Sequence, residues 1–420
     1  MRILYISQYY PPEIGAPSAR VSEMAQHWAA LGHSVTVLTG FPNHPTGKLH
    51  PDYRSHWRGI VAREDDHGVN VVRTWLWPRP NRGVLDRVVN YASFMLSAML
   101  TGMTLAEPDA VIATSPQLLV GISGWWLSRM LGSAFYFEVR DLWPESIAAV
   151  RYGARKSLIY RVLESISAFL YRKADEIVVV SPAFRQRLED DWNVETEKIH
   201  VVENGVDLSR FSNAEDNAAK KAQIGAQNKF VAIYMGTIGT AFGFDTFLHA
   251  AARLAESHPN VCLLLIGEGE MKKRLTSEVA ARGLQNVVLR DGVDREEVTP
   301  WLAAADAGLV LLRDAEVFRT VIPTKMLEYM AAGLPVVSNV EGQAQAIVNK
   351  AKAGVCVAAS DGAALADAIA NLAADSVRRA EFGANGRSYV AAHLTRRKKA
   401  EEFMELLEAG QAQIAAMRRG

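Results

Sequence analysis

The segment Ile322-Pro-Thr-Lys-Met-Leu-Glu-Tyr-Met-Ala-Ala-Gly-Leu-Pro-Val-Val337 places a cation, a carboxylate and a phenol where they can act together. Lys325, Glu328 and Tyr329 stand at i, i+3 and i+4, so a helix puts them on one face. Pro323 suits the first helical turn, where its missing N–H costs nothing. Gly333 can end the helix in the left-handed conformation. The helix start offers free N–H groups and a positive dipole end to an anion. Lys325 adds a full charge there, and Glu328 could accept two hydrogen bonds from a ribose diol. This is the chemistry of a nucleoside diphosphate site, and the approach through Thr320, Val321, Ile322, Pro323 and Thr324 is assigned to it. The plain alternative is a buried helix with a surface ion pair.

Two Gly-rich loops stand beside that segment. Met235-Gly-Thr-Ile-Gly-Thr-Ala-Phe-Gly-Phe244 follows an apolar run and opens a helical pattern. Gly236, Gly239 and Gly243, with Thr237 among them, let backbone N–H groups approach a diphosphate closely. Gly267-Glu-Gly-Glu270 follows the next apolar run and adds Gly267, Glu268 and Gly269. Neither loop completes G-x-G-x-x-G, and the absence of G-K-[ST] excludes a P-loop. A lone Gly-rich turn is a weak signal. Three loops of this kind, each suited to a diphosphate, are stronger together.

The first half of the chain carries two further candidates. In Pro11-Pro-Glu-Ile-Gly-Ala-Pro-Ser-Ala-Arg20, Gly15 and Ser18 can face a ligand and Arg20 can reach a phosphate or an acceptor. The alternative is a rigid Pro-rich turn. In Phe137-Glu-Val-Arg-Asp-Leu-Trp-Pro-Glu145, the charges Glu138, Arg140 and Asp141 end an apolar strand. Charges are rarely placed there without a partner or a task. Asp141 or Glu138 could orient an acceptor hydroxyl, and Arg140 could steady leaving phosphate charge. The alternative is an internal Arg–Asp pair that holds a loop. No Asp-x-Asp or His/Cys cluster suggests a catalytic metal, and Glu64-Asp65-Asp66-His67 reads as a solvated turn. Lys, Arg and helix dipoles would then have to neutralise phosphate charge.

Strand–helix alternation must position these groups. Ile3–Ser7 is a strand, Ser18–Leu31 a helix closed by Gly32, and Val35–Thr39 the next strand. Ala110–Thr114, Phe135–Val139, Ile177–Ser181 and Ile199–Val202 continue the series, which is the βαβ signature of a parallel sheet. The rhythm restarts after Asn204-Gly205-Val206-Asp207 and a polar stretch from Ser212 to Lys229. Phe230–Met235, Val261–Ile266, Val287–Leu289, Ala307–Leu312 and Pro335–Ser338 follow. The reading is two doubly wound α/β domains, 1–205 and 206–395, that leave a cleft between them. A final helical segment, 396–420, crosses back onto the first domain. Ligands of such sheets bind beyond the carboxyl ends of the strands.

Composition agrees with two folded domains: 420 residues, 49% apolar and 22% charged. Lys+Arg and Asp+Glu both total 46, so there is no basic footprint for nucleic acid. Cys262 and Cys356 lie far apart, which favours a reducing compartment. The N-terminus begins at once as a strand and lacks the pattern of a signal peptide, so a cytoplasmic location is expected. From His67 to Lys173, twelve Lys/Arg face seven Asp/Glu.

That basic stretch also holds the most apolar helix. Val88 to Leu105 is eighteen residues without a charge, barely a bilayer span. Asn90, Ser93, Ser97, Thr101 and Thr104 form one helical stripe. An apolar face with Phe94, Met95, Leu96, Met99 and Met103 lies opposite. The helix therefore lies against a core or a membrane surface rather than spanning. Trp75, Trp77, Arg79, Arg82 and Arg87 nearby suit an interface, and Trp125 and Trp126 can add to it.

Taken in order, these residues resemble the retaining GT-B-fold glycosyltransferases of family four, over nearly the whole chain. The resemblance rests on Pro11-Pro-Glu-Ile-Gly15, Leu31-Gly-His-Ser-Val-Thr-Val37, Asn204-Gly-Val-Asp207, Ile266-Gly-Glu-Gly269 and Glu328-Tyr-Met-Ala-Ala-Gly-Leu-Pro335. Gln8-Tyr-Tyr-Pro-Pro-Glu-Ile-Gly15, Thr39-Gly-Phe-Pro-Asn-His-Pro-Thr-Gly47, Val139-Arg-Asp-Leu-Trp-Pro-Glu-Ser146 and Val321-Ile-Pro-Thr-Lys325 resemble its N-acetyl-fucosamine and related amino-sugar transferases. Those act in O-antigen, capsule and colanic-acid assembly. The resemblance implies a UDP-sugar substrate with no further cofactor, and a polyprenyl-diphosphate-linked acceptor at the cytoplasmic face of the inner membrane. It also implies retention without a metal, with the donor phosphate helping to deprotonate the acceptor.

The chain departs from the family pattern at its diphosphate clamp. The first of the family's paired glutamates is Thr320, while Glu328 matches the second. The Arg after the first donor-loop glycine is Thr237, and the following Lys is Phe242. The catalytic-domain His is Arg140. Lys325 and Arg140 are the candidates to replace the clamp. Two other readings remain open: a UDP-sugar 2-epimerase of similar fold, and a catalytically lapsed membrane-associated scaffold.

Overall fold

The structure, a computed structural model, describes residues 1–81, 83–150, 157–211 and 218–417. Arg82, and residues 212–217 of the polar stretch, lie outside the described residues. The chain divides into two compact units, one joining Met1–Glu203 to the chain from Arg396 on, the other Asn204–Thr395.

The first unit contains β1 (Arg2–Ile6), α1 (Ala16–Ala30), β2 (Ser34–Gly40), β3 (Val61–Asp66), β4 (Val69–Thr74), α2 (Val84–Gly102) and β5 (Ala110–Thr114). It continues with α3 (Leu119–Leu131), β6 (Ala134–Val139), α4 (Leu158–Lys173), β7 (Glu176–Val179) and β8 (Ile199–Val201). The sheet order is β3-β4-β2-β1-β5-β6-β7-β8. Every pair is parallel except β3 with β4. Strands β5 and β6 are buried at every position, which is why they read as largely apolar runs, broken in β6 by Glu138.

The second unit contains β9 (Phe230–Met235), α5 (Phe244–Ser257), β10 (Val261–Ile266), β11 (Val287–Arg290), β12 (Ala307–Val310), α6 (Thr324–Ala331), β13 (Val336–Ser338) and β14 (Gly354–Cys356). Its sheet is wholly parallel, in the order β11-β10-β9-β12-β13-β14. The order reverses between β9 and β12, and in the first unit between β1 and β5. At such reversals the chains leaving two neighbouring strands diverge and open a crevice at their carboxyl ends.

The last helix, α7 (Arg396–Met417), is packed by its apolar side. Trp28 of α1 donates from Nε1 to Ala400 O at 2.8 Å and meets the Phe403 ring edge-on at 5.3 Å. Phe403 and Leu407 join Tyr5, Trp28 and Tyr136 in one core cluster. On the opposite sheet face α3 sits very close, for a Cβ on Gly124 would lie 2.5 Å from that of Ala113.

Three expectations need correction. Glu64-Asp65-Asp66 is not a solvated turn but the body of β3, with the turn shifted to His67 and Gly68 at φ 55 and 85. Its carboxylates are engaged: Glu64 accepts from Arg73 Nε at 2.8 Å, and Asp66 accepts from Tyr10 OH at 2.6 Å. Charges on an edge strand also block pairing with another sheet. Phe94 belongs to the buried face of α2, not the outer one. Strand β14 went unread because Gly354-Val-Cys356 is too short to show a pattern. No helix among the described residues is long and apolar enough to cross a membrane.

Candidate functional site

In the second unit the crevice at β9 and β12 is lined by the loop after β9 and by the start of α6. Tyr329 ties the two together, because its buried hydroxyl accepts from Met235 N at 2.9 Å. The phenol that sequence spacing put beside Lys325 therefore serves as a fastener. Pro323 is the N-cap of α6, one residue before the first turn where the sequence placed it, and no side chain caps that end. Gly333 takes φ 76 and closes the helix as expected.

Lys325 is the unusual group here. Its Nζ stands 3.7 Å from the centre of the Tyr234 ring and 4.5 Å from that of Phe242. A Cβ on Gly236 would lie 3.1 Å from it. The Nζ is buried and no hydrogen-bond acceptor reaches it. Burial pushes its pKa down to about 7, with Glu328 pulling the other way. A cation held over aromatic faces, unpaired, beside a Gly-rich turn and a helix N-terminus is suited to a diphosphate. Phe242 stands where the resembled family has a Lys, and here it helps to enclose another Lys.

The remaining donor-loop residues divide by role. Gly267 has no room for a side chain, since a Cβ would lie 1.8 Å from Gly236 O. Gly269 and Gly243 are crowded in the same way by Ile238 O and Leu312 O, at 2.2 and 2.7 Å. These glycines fit the loops to one another, whereas a Cβ on Gly239 would make only ordinary contacts, the nearest at 3.6 Å, and Thr237 is exposed. Glu268 is turned to the surface, accepting from Lys272 Nζ at 2.7 Å and Gly292 N at 3.1 Å. Thr320 and Ile322 are corrected outright. The Thr320 hydroxyl donates to Val317 O at 2.6 Å, and Ile322 packs into the core. Both are buried because the turn before α6 folds inward. Val321, Pro323, Thr324 and Glu328 are half-buried at the rim. Sequence reasoning passed over Arg313, which is exposed just beyond β12 and whose N–H donates to Ala241 O at 3.0 Å. Its signal was the first charge after an apolar strand.

In the first unit, Arg20 and Glu138 form a fully buried pair at 2.8 Å with side chains 0% exposed. Tyr5 OH donates to Glu138 at 2.7 Å, and Arg20 also donates to Val202 O and Glu203 O, each at 3.0 Å. Burial would raise the Glu138 pKa, but Arg20 and Arg140 outweigh it and hold the carboxyl below its ordinary range. Neither Arg20 nor Glu138 is presented to a ligand, so the readings of Arg20 as a donor contact and Glu138 as a reacting group are corrected to support. The reason is topological: β6 is covered on both faces, so a charge within it must be paired inside.

Arg140 and Asp141 lie one step beyond that strand. The Ser115 hydroxyl, on the loop after β5, accepts from Arg140 N at 2.7 Å and Asp141 N at 3.3 Å. Ser115 was not foreseen, as a lone Ser after a strand carries no pattern. The Arg140 guanidinium donates to Ala16 O at 3.1 Å and Pro17 O at 3.4 Å, leaving its Nε buried and unpartnered. Burial lowers the Arg140 pKa to about 10, with Glu138 opposing, so it stays charged at neutral pH. Burial raises Asp141 to about 6, with Arg140 opposing. Gly15, at φ 153, is the exposed N-cap of α1. Ser18 in the first turn of α1 is buried with an unpartnered hydroxyl. Arg140, Asp141, Ser115, Gly15 and Ser18 thus share one corner at the carboxyl ends of β1, β5 and β6. Among the described residues, no group of three or more His, Cys, Asp or Glu could hold a metal ion.

Comparison with known proteins follows the same division. Residues 15–205 match the family model of the glycosyl transferase 4-like domain, and residues 216–389 that of glycosyl transferases group 1. The chain is 24% identical over 340 residues to the putative colanic acid biosynthesis glycosyl transferase WcaI of Escherichia coli K12, covering 79% of this chain and 82% of that one. It is 26% identical over 389 residues to glycogen synthase of Mycobacterium tuberculosis, covering 89% and 86%. Among solved structures, Anabaena HepE in complex with UDP superposes with a TM-score of 0.71 at 17% identity, over 97% of this chain and 100% of that one. The chain is accordingly a glycosyltransferase of the GT-B fold, a glycosyl transferase 4-like domain followed by a group 1 domain.

Proposed function

We propose that the protein is a retaining, metal-independent transferase that moves a sugar from a UDP-sugar to a polyprenyl-diphosphate-linked acceptor in bacterial surface polysaccharide synthesis. The sugar is an N-acetyl amino sugar such as N-acetyl-fucosamine, and the product feeds O-antigen, capsule or colanic-acid assembly. The enzyme works in the cytoplasm, peripheral to the inner membrane. The observation that carries the donor part is the unpartnered Lys325 Nζ beside Gly236, above Tyr234. The UDP complex of HepE supports the choice of a UDP-sugar, and the putative colanic-acid role named for the Escherichia coli relative supports the polysaccharide setting.

The second unit takes the donor: Lys325 and the N-terminus of α6 hold the diphosphate, and Glu328 receives the ribose. The first unit takes the acceptor: Asp141 orients its hydroxyl, and Arg140 adds positive charge where phosphate charge develops. The bond from the anomeric carbon to the diphosphate breaks, and the acceptor oxygen bonds to that carbon on the same face. The acceptor proton passes to the departing phosphate.

Labelled donor incubated with and without lipid-linked acceptor tests this. Label in the lipid fraction is expected only when acceptor is present. Epimerised free nucleotide-sugar would instead favour the epimerase. Absence of any calorimetric UDP binding would favour a lapsed scaffold.

A further inference from the structure

Helix α2 is amphipathic in the reverse sense for a soluble domain. Its buried face carries Asn90 and Thr101 beside Phe94 and Ala98. Those polar groups are spent inside the unit. Asn90 bonds Gln8, Asn43 and the Trp77 carbonyl, Ser97 bonds the Trp75 carbonyl, and Thr101 bonds Thr74. The outward stripe is aliphatic: Leu85, Val88, Leu96 and Leu100 are 76%, 51%, 57% and 72% exposed, and Met103 continues it. These positions fall on one line at helical spacing.

The exposed apolar surface does not end with α2. Helix α3 packs between α2 and α4. Leu158 and Val162 of α4 are 76% and 49% exposed. Together with Ile166 and Phe169 they line an apolar groove against Ile122 of α3. Scattered exposed aliphatics need no explanation, but stripes on neighbouring helices do. The three helices carry five cations, Arg87, Arg129, Arg161, Arg172 and Lys173, against two carboxylates, Asp86 and Glu164. Arg129 is paired with Asp175 at 3.0 Å, whereas Arg161 and Arg172 fall on the α4 face of Leu158 and Val162. At the edge Trp77 is 51% exposed with the Arg79 guanidinium 5.6 Å from its ring centre. Aliphatic stripes with a net positive charge and a Trp/Arg rim match an anionic bilayer surface.

We infer that α2, α3 and α4 form a single face that docks in the plane of an anionic lipid bilayer. The inference deepens the proposed membrane role and rests on it for its purpose. It enlarges the membrane contact from one helix to three. It also explains the reversed helix: α2 turns aliphatics to lipid while its buried Asn90 holds the loops that follow β1 and β2.

Co-sedimentation of the full chain with phosphatidylcholine vesicles, and with vesicles about one third phosphatidylglycerol, tests the face. Wild type should bind the anionic vesicles and be released by salt. Leu96→Ser with Leu100→Ser should weaken binding by about tenfold or more. Arg161→Glu with Arg172→Glu, on the α4 face that carries Leu158 and Val162, should remove most of the preference for anionic lipid. Thermal melts and circular dichroism of each variant read folding of the first unit independently, and UDP calorimetry checks that the donor unit is unchanged. The inference is overturned if wild type ignores anionic vesicles, if properly folded variants bind them equally well, or if light scattering shows the face buried in a stable dimer. Vesicle binding without sugar transfer would sink the proposed activity alone. Transfer to a soluble acceptor without vesicle binding would sink the docking face alone.

Discussion

Lys325 Nζ rests 3.7 Å from the centre of the Tyr234 ring, and no hydrogen-bond acceptor reaches it. Burial has lowered its pKa to about 7, so near neutrality the free side chain is a mixture of ammonium and amine. A bound diphosphate would stabilise the ammonium and raise that pKa again. Between the two values donor binding takes up a proton, so UDP affinity should fall as pH rises above about 7, by up to about tenfold per unit. Calorimetry in two buffers of different ionisation heat measures both the slope and the proton uptake. Lys325→Met should flatten the slope and weaken UDP binding by about ten- to a hundredfold. A variant with wild-type affinity and slope would remove Lys325 from the donor site.

The Arg20–Glu138 pair predicts a loss of stability of a different kind. Removing one partner leaves the other charge buried, which costs about 3–5 kcal/mol. Glu138→Leu also strands Tyr5 OH, which donates to it at 2.7 Å. The melting temperature of that variant should drop by about 6–20 °C. Glu138→Leu combined with Arg20→Met removes both charges and should recover part of the loss. Recovery should stay incomplete, because Val202 O and Glu203 O lose their donor. Thermal melts of the two single variants and the double variant separate these terms. UDP affinity should be unaffected in all three.

The doubly wound architecture was legible because its signal is redundant. Each covered parallel strand is an apolar run, and turn residues punctuate the intervals. The edge strand β3 was not legible, because its carboxylates mask the alternation and its partners, Arg73 and Tyr10, come from other elements. The same difference separates the site residues. Lys325 stood out by its place at a helix start. Its aromatic enclosure depends on how the loop after β9 folds back, which no local spacing encodes. Glu138 looked like a ligand contact because a charge near the end of an apolar strand needs a partner or a task, and Arg20 because it follows a Gly/Pro-rich turn. They are 118 positions apart, so only the fold shows that each is the other's partner.

Steric crowding makes Gly267 and Gly239 a contrasting pair. A Cβ at Gly267 would lie 1.8 Å from Gly236 O, so Gly267→Ala must push apart the loops after β9 and β10. Gly236 also borders Lys325, so the displacement should reach the donor site. The variant should melt several degrees lower and bind UDP at least about tenfold more weakly, as expected for overpacking of about 1–3 kcal/mol. At Gly239 the nearest atom is 3.6 Å away, an ordinary contact, so Gly239→Ala should melt like wild type. Equal melting temperatures for the two variants would show that the loops yield more easily than this packing implies.

Asn90 gives the corresponding prediction for the acceptor side. Its Oδ1 accepts from Gln8 Nε2 at 2.5 Å, and its Nδ2 donates to Asn43 Oδ1 at 3.1 Å and Trp77 O at 2.9 Å. Gln8 and Asn43 begin the loops after β1 and β2. Glu13 links those loops as well, since one carboxylate oxygen accepts from Asn43 N at 2.9 Å and His44 N at 2.8 Å. Asn90→Leu keeps nearly the same volume but leaves three buried polar groups without their partner, at about 1–3 kcal/mol each before relaxation. The loops should loosen while the donor unit is untouched. The expected outcome is a raised KM for the lipid-linked acceptor, by about tenfold, with UDP affinity unchanged and vesicle binding retained. Asn90→Asp keeps the oxygen that Gln8 needs and should fall between the two. A loss of UDP affinity in Asn90→Leu would show general misfolding. Unchanged acceptor KM in a well-folded variant would mean that these loops do not position the acceptor.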